Sequence, residues 1–361
     1  MSENRLITPL SEVRRFIVDC FVAIGTKEEN ATVIADNLVT ADYRGHYSHG
    51  LNRLEIYVRV ANNKAMNPNA IPVIEKETPA TALVNGNNGF GALIGKFSMD
   101  LAVKKAKEQG IGMVVTYGSN HYGIAGIYAL QAMEQGCVGM SVTNTSPVMV
   151  PTRGKESCIG SNPISFGAAA ADGDSVVLDM ATTTVALGKL EIQKRKGQPL
   201  PAGWAVDNDG EMTNDPIIGL VSHKLLPLGG EEQNGGYKGY GLGLMVEILA
   251  GLFSGSNYGS NIPTWGGSYI ANLGQAFIAI NPEAFAPGFG ERLAGLTAML
   301  RDVTPKDPNK PVLIPGDPEK DHMAKVDQQG GICYTEDQHK ANAELAKDLN
   351  VEPPKSFEIK H

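Results

Sequence analysis

A histidine lies in a short glycine-rich stretch, residues 118–126, with the sequence GSNHYGIAG. The stretch follows an apolar run at 111–117 that is typical of a buried strand, and residues 125–135 after it have helical spacing. An imidazole at a strand end, between glycines that let another molecule approach the backbone, suits catalysis or ligand binding, so His121 is a candidate. A hydrogen-bonded loop histidine is the alternative, and it is the preferred interpretation of this stretch taken alone.

A second stretch with chemical content covers residues 41–57. If a helix begins near Ser48, then His49, Arg53 and Tyr57 follow at intervals of four and share one face. These side chains fit a small anion, because arginine binds a carboxylate through two parallel donors while histidine moves a proton at the adjacent carbon. An exposed polar face with Tyr57 half buried is an equally acceptable alternative.

Polar turns recur further along the chain. Residues 144–147 and 160–163 are turns rich in side-chain acceptors. Residues 176–184 have the pattern of a strand that ends in a polar turn before a helix at 185–196, and hydroxyls at a helix start suit a phosphate or a ribose. In the glycine-rich residues 235–243, Lys238 is placed to meet an anion. A plain N-cap threonine and simple glycine packing are the respective alternatives.

The elements that must position these residues fall into a helical start, an α/β block and a mixed C-terminal part. Thr8-Pro9 predicts the start of one helix, and a capping box at residues 26–29 predicts the start of the next. Strands are predicted at 81–84, 111–117 and 137–143, with a helix at 97–109 between them. Beyond these, the pattern predicts a strand at 276–280, helices at 244–253 and 291–301, a proline-fixed loop at 313–319, and a last helix from 335 to about 350.

Composition limits the class of protein. The chain has 361 residues, 42% of them hydrophobic, which predicts a globular protein of two domains. A net charge of −8 argues against a nucleic-acid binder. The four cysteines form no Cys-x-x-Cys pair, so we expect a reducing compartment and neither a zinc knuckle nor a disulfide framework. The sequence has no secretory signal pattern and no long apolar run, so no membrane association and a cytoplasmic location are expected.

Common catalytic motifs are missing from the sequence. The dinucleotide fingerprint Gly-x-Gly-x-x-Gly is absent, and residues 89–95 miss it by one position. The sequence also lacks a phosphate loop, a Gly-x-Ser-x-Gly elbow and a His-Glu-x-x-His motif. The seven histidines are scattered without metal-ligand spacing, so no metal site is expected.

Five motifs nevertheless occur together in one order. They are Ser48-His49-Gly50-x-x-Arg53, Gly118 to Gly123, Gly160-Ser161-Asn162-Pro163, Asp179-Met180-Ala181-Thr182 and Gly236-Tyr237-Lys238-Gly239. In these motifs the chain resembles the malate/L-lactate dehydrogenase family that lacks a Rossmann fold. Relatives of that family include ureidoglycolate, sulfolactate and diketogulonate oxidoreductases and cyclic ketimine reductases. The resemblance runs from about residue 5 to residue 350. Ser161 stands where threonine is usual, and Asp317 where glutamate is common; both substitutions keep a polar group.

The resemblance implies an α/β fold with two domains. A non-Rossmann, mixed-sheet domain at 76–314 would bind NAD or NADP. A separate helical domain, built from residues 1–75 and 315–361, would bind substrate and mediate dimerisation. The family further implies a homodimer with shared active sites.

The resemblance also implies roles for individual residues. Catalysis would fall to His49, His121 and Arg53, with Ser48 and Tyr57 beside the substrate, and which histidine transfers the proton stays open. The implied cofactor contacts are Ser146, Asp179, Met180, Ala181, Lys238, Gly239, Pro315, Gly316 and Asp317.

Oxidation of a 2-hydroxy acid needs a base, a cation for the carboxylate and a nicotinamide, and the candidate residues supply the first two. Malate/oxaloacetate is the first expected substrate because it carries the family's name. Lactate, ureidoglycolate and a cyclic ketimine are the alternatives. A non-catalytic nucleotide-binding relative or an anion-binding structural protein would be of another class, and the presence of both histidines with Arg53 argues against either.

Overall fold

The computed structural model describes residues 5–359. Its strands are β1 (Arg5–Thr8), β2 (Val73–Glu77), β3 (Thr81–Asn85), β4 (Ile111–Ser119), β5 (Val138–Thr143), β6 (Ile164–Ala169), β7 (Ser175–Met180), β8 (Ala205–Val206), β9 (Met212–Thr213), β10 (Leu273–Ile280), β11 (Ile332–Cys333) and β12 (Phe357–Ile359). Its α-helices are α1 (Leu10–Ala23), α2 (Glu28–Tyr43), α3 (Leu54–Asn62), α4 (Gly91–Gln109), α5 (Gly126–Glu134), α6 (Leu187–Lys196), α7 (Pro216–Ser222), α8 (Gly236–Glu247), α9 (Phe289–Arg301), α10 (Asp317–Gln329) and α11 (Glu336–Leu349).

Both ends of the chain contribute to one helical core. The apolar residues of α1 repeat at three and four, and Val13, Phe16 and Ile17 are fully buried. They pack in the same hydrophobic cluster as Val326 of α10 and Ala346 of α11. A small sheet, in which β1 lies between β11 and β12, also joins the two ends. The predicted division at 75/76 and 314/315 stays a prediction, and residues 1–4 and 360–361 of the expected helical domain lie outside the described residues.

The first two predicted helices are confirmed, but both predicted caps are wrong. Thr8 is the last residue of β1, and its hydroxyl is 2.8 Å from the Ser356 hydroxyl, so it does not cap α1. Thr26 does not cap α2 either, because its buried hydroxyl has no hydrogen-bond partner among the described residues. The chain just before α2 is held instead by Asn69, whose side-chain oxygen accepts the Lys27 N–H at 2.9 Å. Tertiary partners have replaced the local caps in both places.

A seven-stranded mixed sheet forms the centre of the α/β part, as predicted. Its strand order is β2-β3-β4-β10-β5-β6-β7. Strands β3 and β4 run parallel, and the remaining neighbours are antiparallel. Helices α4 and α5 pack on the sheet through Met99, Ala102 and Ala129, which lie in one cluster with Phe277 of β10. The predicted strands at 81–84, 111–117, 137–143 and 276–280 are confirmed.

Several boundaries differ from the predictions. The helix predicted at 97–109 begins at Gly91, and the one predicted at 244–253 begins at Gly236 and continues as a π-helical turn, Ile248–Leu252. Glycines at these starts concealed the helical pattern. The loop predicted at 313–319 is wrong in its second half, because α10 begins at Asp317 with Pro318 in its first turn.

Within residues 5–359, none of the helices combines the length and the apolar character needed to cross a membrane.

Candidate active site

The candidate residues collect at one end of the seven-stranded sheet. The ends of β4 and β5 both pair with the start of β10, and the start of β6 pairs with the ends of β5 and β7. The turns after β4, β5 and β7, and those before β6 and β10, therefore lie side by side. This end of the sheet, called the site end below, carries His121, Ser146, Ser161 and Asp179.

His121 is held by a buried tyrosine. Its Nδ1 atom is 2.6 Å from the hydroxyl oxygen of Tyr57, and Tyr57 is only 4% exposed. The turn after His121 requires glycine, since Gly123 has a φ of +82° and a Cβ built there would lie 1.9 Å from the Asn37 side-chain oxygen. Asn37 in turn donates to the Tyr122 carbonyl at 3.1 Å. The imidazole therefore has a fixed place and a hydroxyl partner.

The helix predicted to begin near Ser48 is wrong. Residues 47–53 form two 3₁₀ turns, Tyr47–His49 and Leu51–Arg53, and α3 begins at Leu54. The Asp42 side chain explains this break, because one of its carboxylate oxygens accepts the Leu51 N–H at 2.8 Å. The other oxygen packs against Gly50, where a built Cβ would lie 1.8 Å from it. Asp42 therefore holds the chain at the break, where Gly50 has the non-helical angles φ −97° and ψ −134°.

The two turns nevertheless bring His49 to His121. The two imidazole rings stack with centroids 5.5 Å apart and planes inclined by 23°. The Ser48 hydroxyl is 2.8 Å from His49 Nδ1. Each histidine thus has one ring nitrogen beside a hydroxyl, and its second nitrogen remains for a ligand.

Arg53 lies beside the paired imidazoles. Its Nε–H donates to the Ser48 carbonyl oxygen, which fixes the plane of the guanidinium. Within residues 5–359, its two terminal nitrogens have no hydrogen-bond acceptor. These nitrogens can bind a carboxylate through two parallel hydrogen bonds.

Trp265 also belongs to the site, and the sequence analysis missed it. Its ring stacks on His121 with centroids 4.8 Å apart, and the Arg53 guanidinium carbon lies 5.1 Å from the ring centre. It lies in the loop between the π-helical turn and β10. The available signal was a tryptophan followed by two glycines before a predicted strand, and the chain has only two tryptophans.

Burial and charge keep both histidines neutral. Loss of hydration first, and the charges of Arg53 and His46 second, together lower the pKa of His49 to about 3. The pKa of His121 is likewise well below its usual value, through burial first and the charges of His49 and Arg53 second. Both rings can accept a proton at neutral pH. A carboxylate bound to Arg53 would offset the positive charge that opposes this protonation.

Buried polar side chains support the turn that carries His121. Gln275 of β10 donates to the Asn120 carbonyl at 2.9 Å and accepts from the Ser119 hydroxyl at 2.9 Å. Both Gln275 and Ser119 are fully buried. The sequence analysis did not identify this support, although a glutamine in an apolar strand was the available signal.

Ser146 and Ser161 lie in adjacent turns at the site end. The Ser146 hydroxyl donates to the Pro263 carbonyl at 2.7 Å, which connects it to the loop of Trp265. The Ser161 carbonyl accepts from the Thr182 N–H at 2.8 Å and from the Thr182 hydroxyl at 3.0 Å. Through Thr182, these turns adjoin Met180 and Ala181.

Asp179 lies at the start of a helix. Its carboxylate accepts the Gly126 N–H at 2.8 Å, at the N-terminus of α5. Burial raises the pKa of this carboxyl to about 7, although the Gly126 hydrogen bond and the charge of Arg44 oppose the rise.

Lys238 and Gly239 lie close to the same turn. Gly239 packs on Leu228, where a built Cβ would lie 2.4 Å from the backbone nitrogen, and the Leu228 N–H donates to the Thr182 carbonyl at 2.9 Å. Lys238 is exposed in the first turn of α8, whose N-terminus has no side-chain cap among the described residues. A cation beside the positive end of a helix dipole suits a phosphate.

Residues 315–317 run beside β7. The Pro315 carbonyl accepts the Val177 N–H at 2.9 Å, and Gly316 has a φ of +105°. The Asp317 carboxylate is 2.7 Å from Arg301 and also accepts the Ile314 N–H at 3.1 Å. Its side chain therefore holds its own loop, and the role of these three residues as cofactor contacts stays a prediction.

Comparison with known proteins finds relatives over most of the chain. The family described as malate/L-lactate dehydrogenase matches residues 8–341. The malate dehydrogenase of Pyrococcus abyssi is 44% identical over 288 residues, which are 80% of this chain and 79% of that protein. The L-sulfolactate dehydrogenase of Methanocaldococcus jannaschii is 36% identical over 349 residues, 96% of this chain and 98% of that protein.

A solved structure shows the same fold. The malate dehydrogenase of Pyrococcus horikoshii OT3 superposes with a TM-score of 0.89 at 36% identity, covering 98% of each chain. The chain therefore belongs to the malate/L-lactate dehydrogenase family.

Proposed function

We propose that this dehydrogenase interconverts malate and oxaloacetate with NAD or NADP as hydride carrier. The observation that carries the proposal is the stacked pair of His49 and His121, with the charge of Arg53 acting on both rings and a buried tyrosine holding one of them. A carboxylate and an adjacent carbinol hydroxyl need such a cation and such a base within one small pocket.

In this proposal, the two terminal nitrogens of Arg53 bind the C1 carboxylate. The C2 hydroxyl then lies beside the imidazole pair, and a neutral ring accepts its proton during oxidation. We assign the transfer to His121, because it is the middle ring of the stack and stands at the site end beside the expected cofactor contacts. Ser48 and His49 orient the substrate. In the reverse direction His121 returns the proton to the ketone oxygen.

The residues at the site end fit a dinucleotide. Lys238 and the uncapped start of α8 suit a phosphate, and Ser146, Met180 and Ala181 offer a hydroxyl and backbone groups nearby. The bound nicotinamide would supply the hydride acceptor or donor. Asp179, Gly239 and residues 315–317 would complete the surface that holds the dinucleotide.

The choice of malate rests on similarity. The relative named malate dehydrogenase is more similar in sequence than the one named L-sulfolactate dehydrogenase, at 44% against 36% identity. Both names describe 2-hydroxy acids with a second acidic group. Lactate, ureidoglycolate and cyclic ketimines therefore rank below malate as candidates.

We further propose that the chain forms a homodimer with shared active sites. Large apolar side chains on α8 and the π-helical turn are exposed, including Tyr237 at 53%, Leu252 at 51% and Phe253 at 60%. Met299 of α9 is 68% exposed. A second copy covering these faces would remove apolar area from water.

The test is the absorbance of reduced nicotinamide, measured with each carrier and a panel of 2-hydroxy and 2-oxo acids. We expect malate and oxaloacetate to have the highest kcat/KM, and His121→Ala to lose at least about a hundredfold in kcat. His49→Ala should lose less in kcat and more in KM. If the enzyme turned over another acid but not malate, malate would be rejected as its substrate. Near wild-type rates in both histidine variants would reject the mechanism.

A further inference from the structure

We propose that Trp265 is the specificity-determining residue of the substrate site, because its ring lies against both His121 and Arg53. The proposal rests on the function proposed above and extends it to the size of the group that the substrate carries at C3. In this role Trp265 accepts a small acidic group and excludes a bulky one.

The first observation is the geometry of the ring. Trp265 stacks on His121 at 4.8 Å with planes inclined by 24°, and it meets the Tyr57 ring edge-on at 6.3 Å. The guanidinium carbon of Arg53 lies over the same ring, 5.1 Å from its centre. One side chain therefore contacts both the predicted carboxylate clamp and the predicted proton acceptor.

The second observation is that the loop is fixed on both sides of the ring. On one side, the Pro263 carbonyl accepts the Ser146 hydroxyl at 2.7 Å. On the other, Gly266 has a φ of +83°, and a Cβ built there would lie 2.7 Å from the Ile56 side chain. The loop thus turns sharply against α3, and Trp265 packs against the helical core that contains Leu54 and Tyr57.

These contacts have a chemical consequence for the carboxylate. With the indole packed beside it, the guanidinium has its terminal nitrogens left for a carboxylate, and these nitrogens bind it in the plane of the guanidinium. That approach fixes the direction in which C2 and C3 extend from Arg53. The indole then forms a wall beside C3, so its removal should weaken carboxylate binding and admit larger groups.

The experiment compares Trp265→Ala, Trp265→Phe and the control Trp204→Phe. Trp204 packs in a separate cluster with Leu190 and Leu225, so its variant should behave as wild type. For Trp265→Ala, kcat/KM for oxaloacetate should fall about tenfold, mainly through KM, as the loss of a desolvated cation–π contact implies. The ratio of kcat/KM for phenylpyruvate to that for oxaloacetate should rise at least about tenfold, and Trp265→Phe should recover most of the wild-type selectivity.

A fall confined to kcat, or an unchanged ratio of the two substrates, would overturn the proposal. The affinity for cofactor, measured by the fluorescence of bound reduced nicotinamide, is the control for misfolding. A variant that binds cofactor as wild type does is folded, so its change in kcat/KM is a local effect. If Trp265→Ala fails to bind cofactor, Trp265→Leu takes its place, because it also removes the aromatic ring, and it must shift the substrate ratio in the same direction.

A separate readout distinguishes failure of the proposed function. In the Trp204→Phe protein, Trp265 is the remaining tryptophan, and malate or oxaloacetate bound at Arg53 should change its fluorescence in the presence of cofactor. The enzyme could turn over neither malate nor oxaloacetate, while another 2-oxo acid changes the Trp265 fluorescence and has a kcat/KM that depends on Trp265. Malate is then rejected as the substrate, and the proposed role of Trp265 is retained. If no substrate of the enzyme changes the fluorescence, the pocket wall is rejected.

Discussion

Arg53 is the residue whose charge controls the chemistry of its neighbours. It binds no carboxylate among the described residues, and its positive charge adds to burial, the larger cause, in lowering the pKa of both His49 and His121. Both imidazoles are therefore neutral, but they are weaker bases than a free imidazole. An anionic substrate on Arg53 would remove part of the charge that opposes protonation, so substrate binding and base strength are coupled.

We predict that Arg53→Met shifts the pH profile as well as the affinity. Without the guanidinium, the imidazole pKa values rise towards 6.5, so the acidic limb of kcat/KM should move to higher pH. KM for the acid substrate should rise roughly a hundredfold, as loss of a bidentate charged contact implies. Steady-state rates between pH 5 and 9 test this, with the surface variant Arg14→Met as control. If KM rose but the acidic limb of kcat/KM stayed at the same pH, the coupling between substrate binding and base strength would be contradicted.

At the scale of elements, the turn between α2 and α3 depends on Asp42. One of its carboxylate oxygens accepts both the Leu51 N–H at 2.8 Å and the Tyr334 hydroxyl at 2.6 Å. Burial raises the pKa of this carboxyl to about 7, and its two hydrogen bonds only partly oppose that rise. Because this pKa is raised, the Asp42 carboxyl keeps its proton to a higher pH in the native state than in the unfolded chain. The contribution of this carboxyl to the stability of the native state is complete below pH 3.8 and is lost as the pH rises through about 7.

We predict that Asp42→Ala destabilises the protein, whereas Asp42→Asn becomes more stable relative to wild type as the pH rises. Asp42→Ala should cost about 1–3 kcal/mol, because it leaves two buried donors without an acceptor, and it should lower kcat by displacing His49 and Arg53. Asp42→Asn keeps an acceptor and cannot ionise. Its stability relative to wild type should therefore improve by about 2–3 kcal/mol from pH 5 to pH 8.

Urea unfolding at both pH values measures this difference. Asp36→Asn, on the exposed face of the same helix, is the control. Equal destabilisation by Asp42→Ala and Asp42→Asn at both pH values would show that the acceptor and the charge are irrelevant.

At the scale of the whole molecule, the exposed apolar faces of α8 and α9 contrast with the polar surface of α11. Phe253 is 60% exposed, directly after the π-helical turn that packs on β10. The proposed homodimer would bury Phe253 near the site end. Glu247, the last residue of α8, connects this helical segment to the site end, because it accepts hydrogen bonds from Asn144 and Asn162 in the turns there.

We predict that Phe253→Glu weakens the proposed dimer by at least about tenfold in dissociation constant, because a charge would have to be buried at the interface. Sedimentation velocity over a concentration series gives the measurement. Val22→Glu places the same charge on an exposed apolar position of α1 and serves as control. An unchanged dimer, or a wild-type monomer at all concentrations, would reject this interface.

The sequence by itself determined the chemical inventory and most of the regular elements. Helical spacing in α1 and α2 and the apolar runs of β3, β4, β5 and β10 are local patterns, so they could be read without a fold. The ordered motifs around His49, His121, Asp179 and Lys238 indicated the family for the same reason.

Only the tertiary structure decided how these groups meet. The contact between Asp42 and Tyr334 joins residues 292 apart in sequence, and the same carboxylate accepts the Leu51 N–H where the helix predicted from Ser48 is broken. The sheet order places β10 between β4 and β5, so the loop before β10 returns Trp265 to His121 and Arg53. Hydrogen bonds and packing between distant segments outweigh local preference at these positions, because a buried donor without an acceptor costs more than a residue's propensity for one conformation.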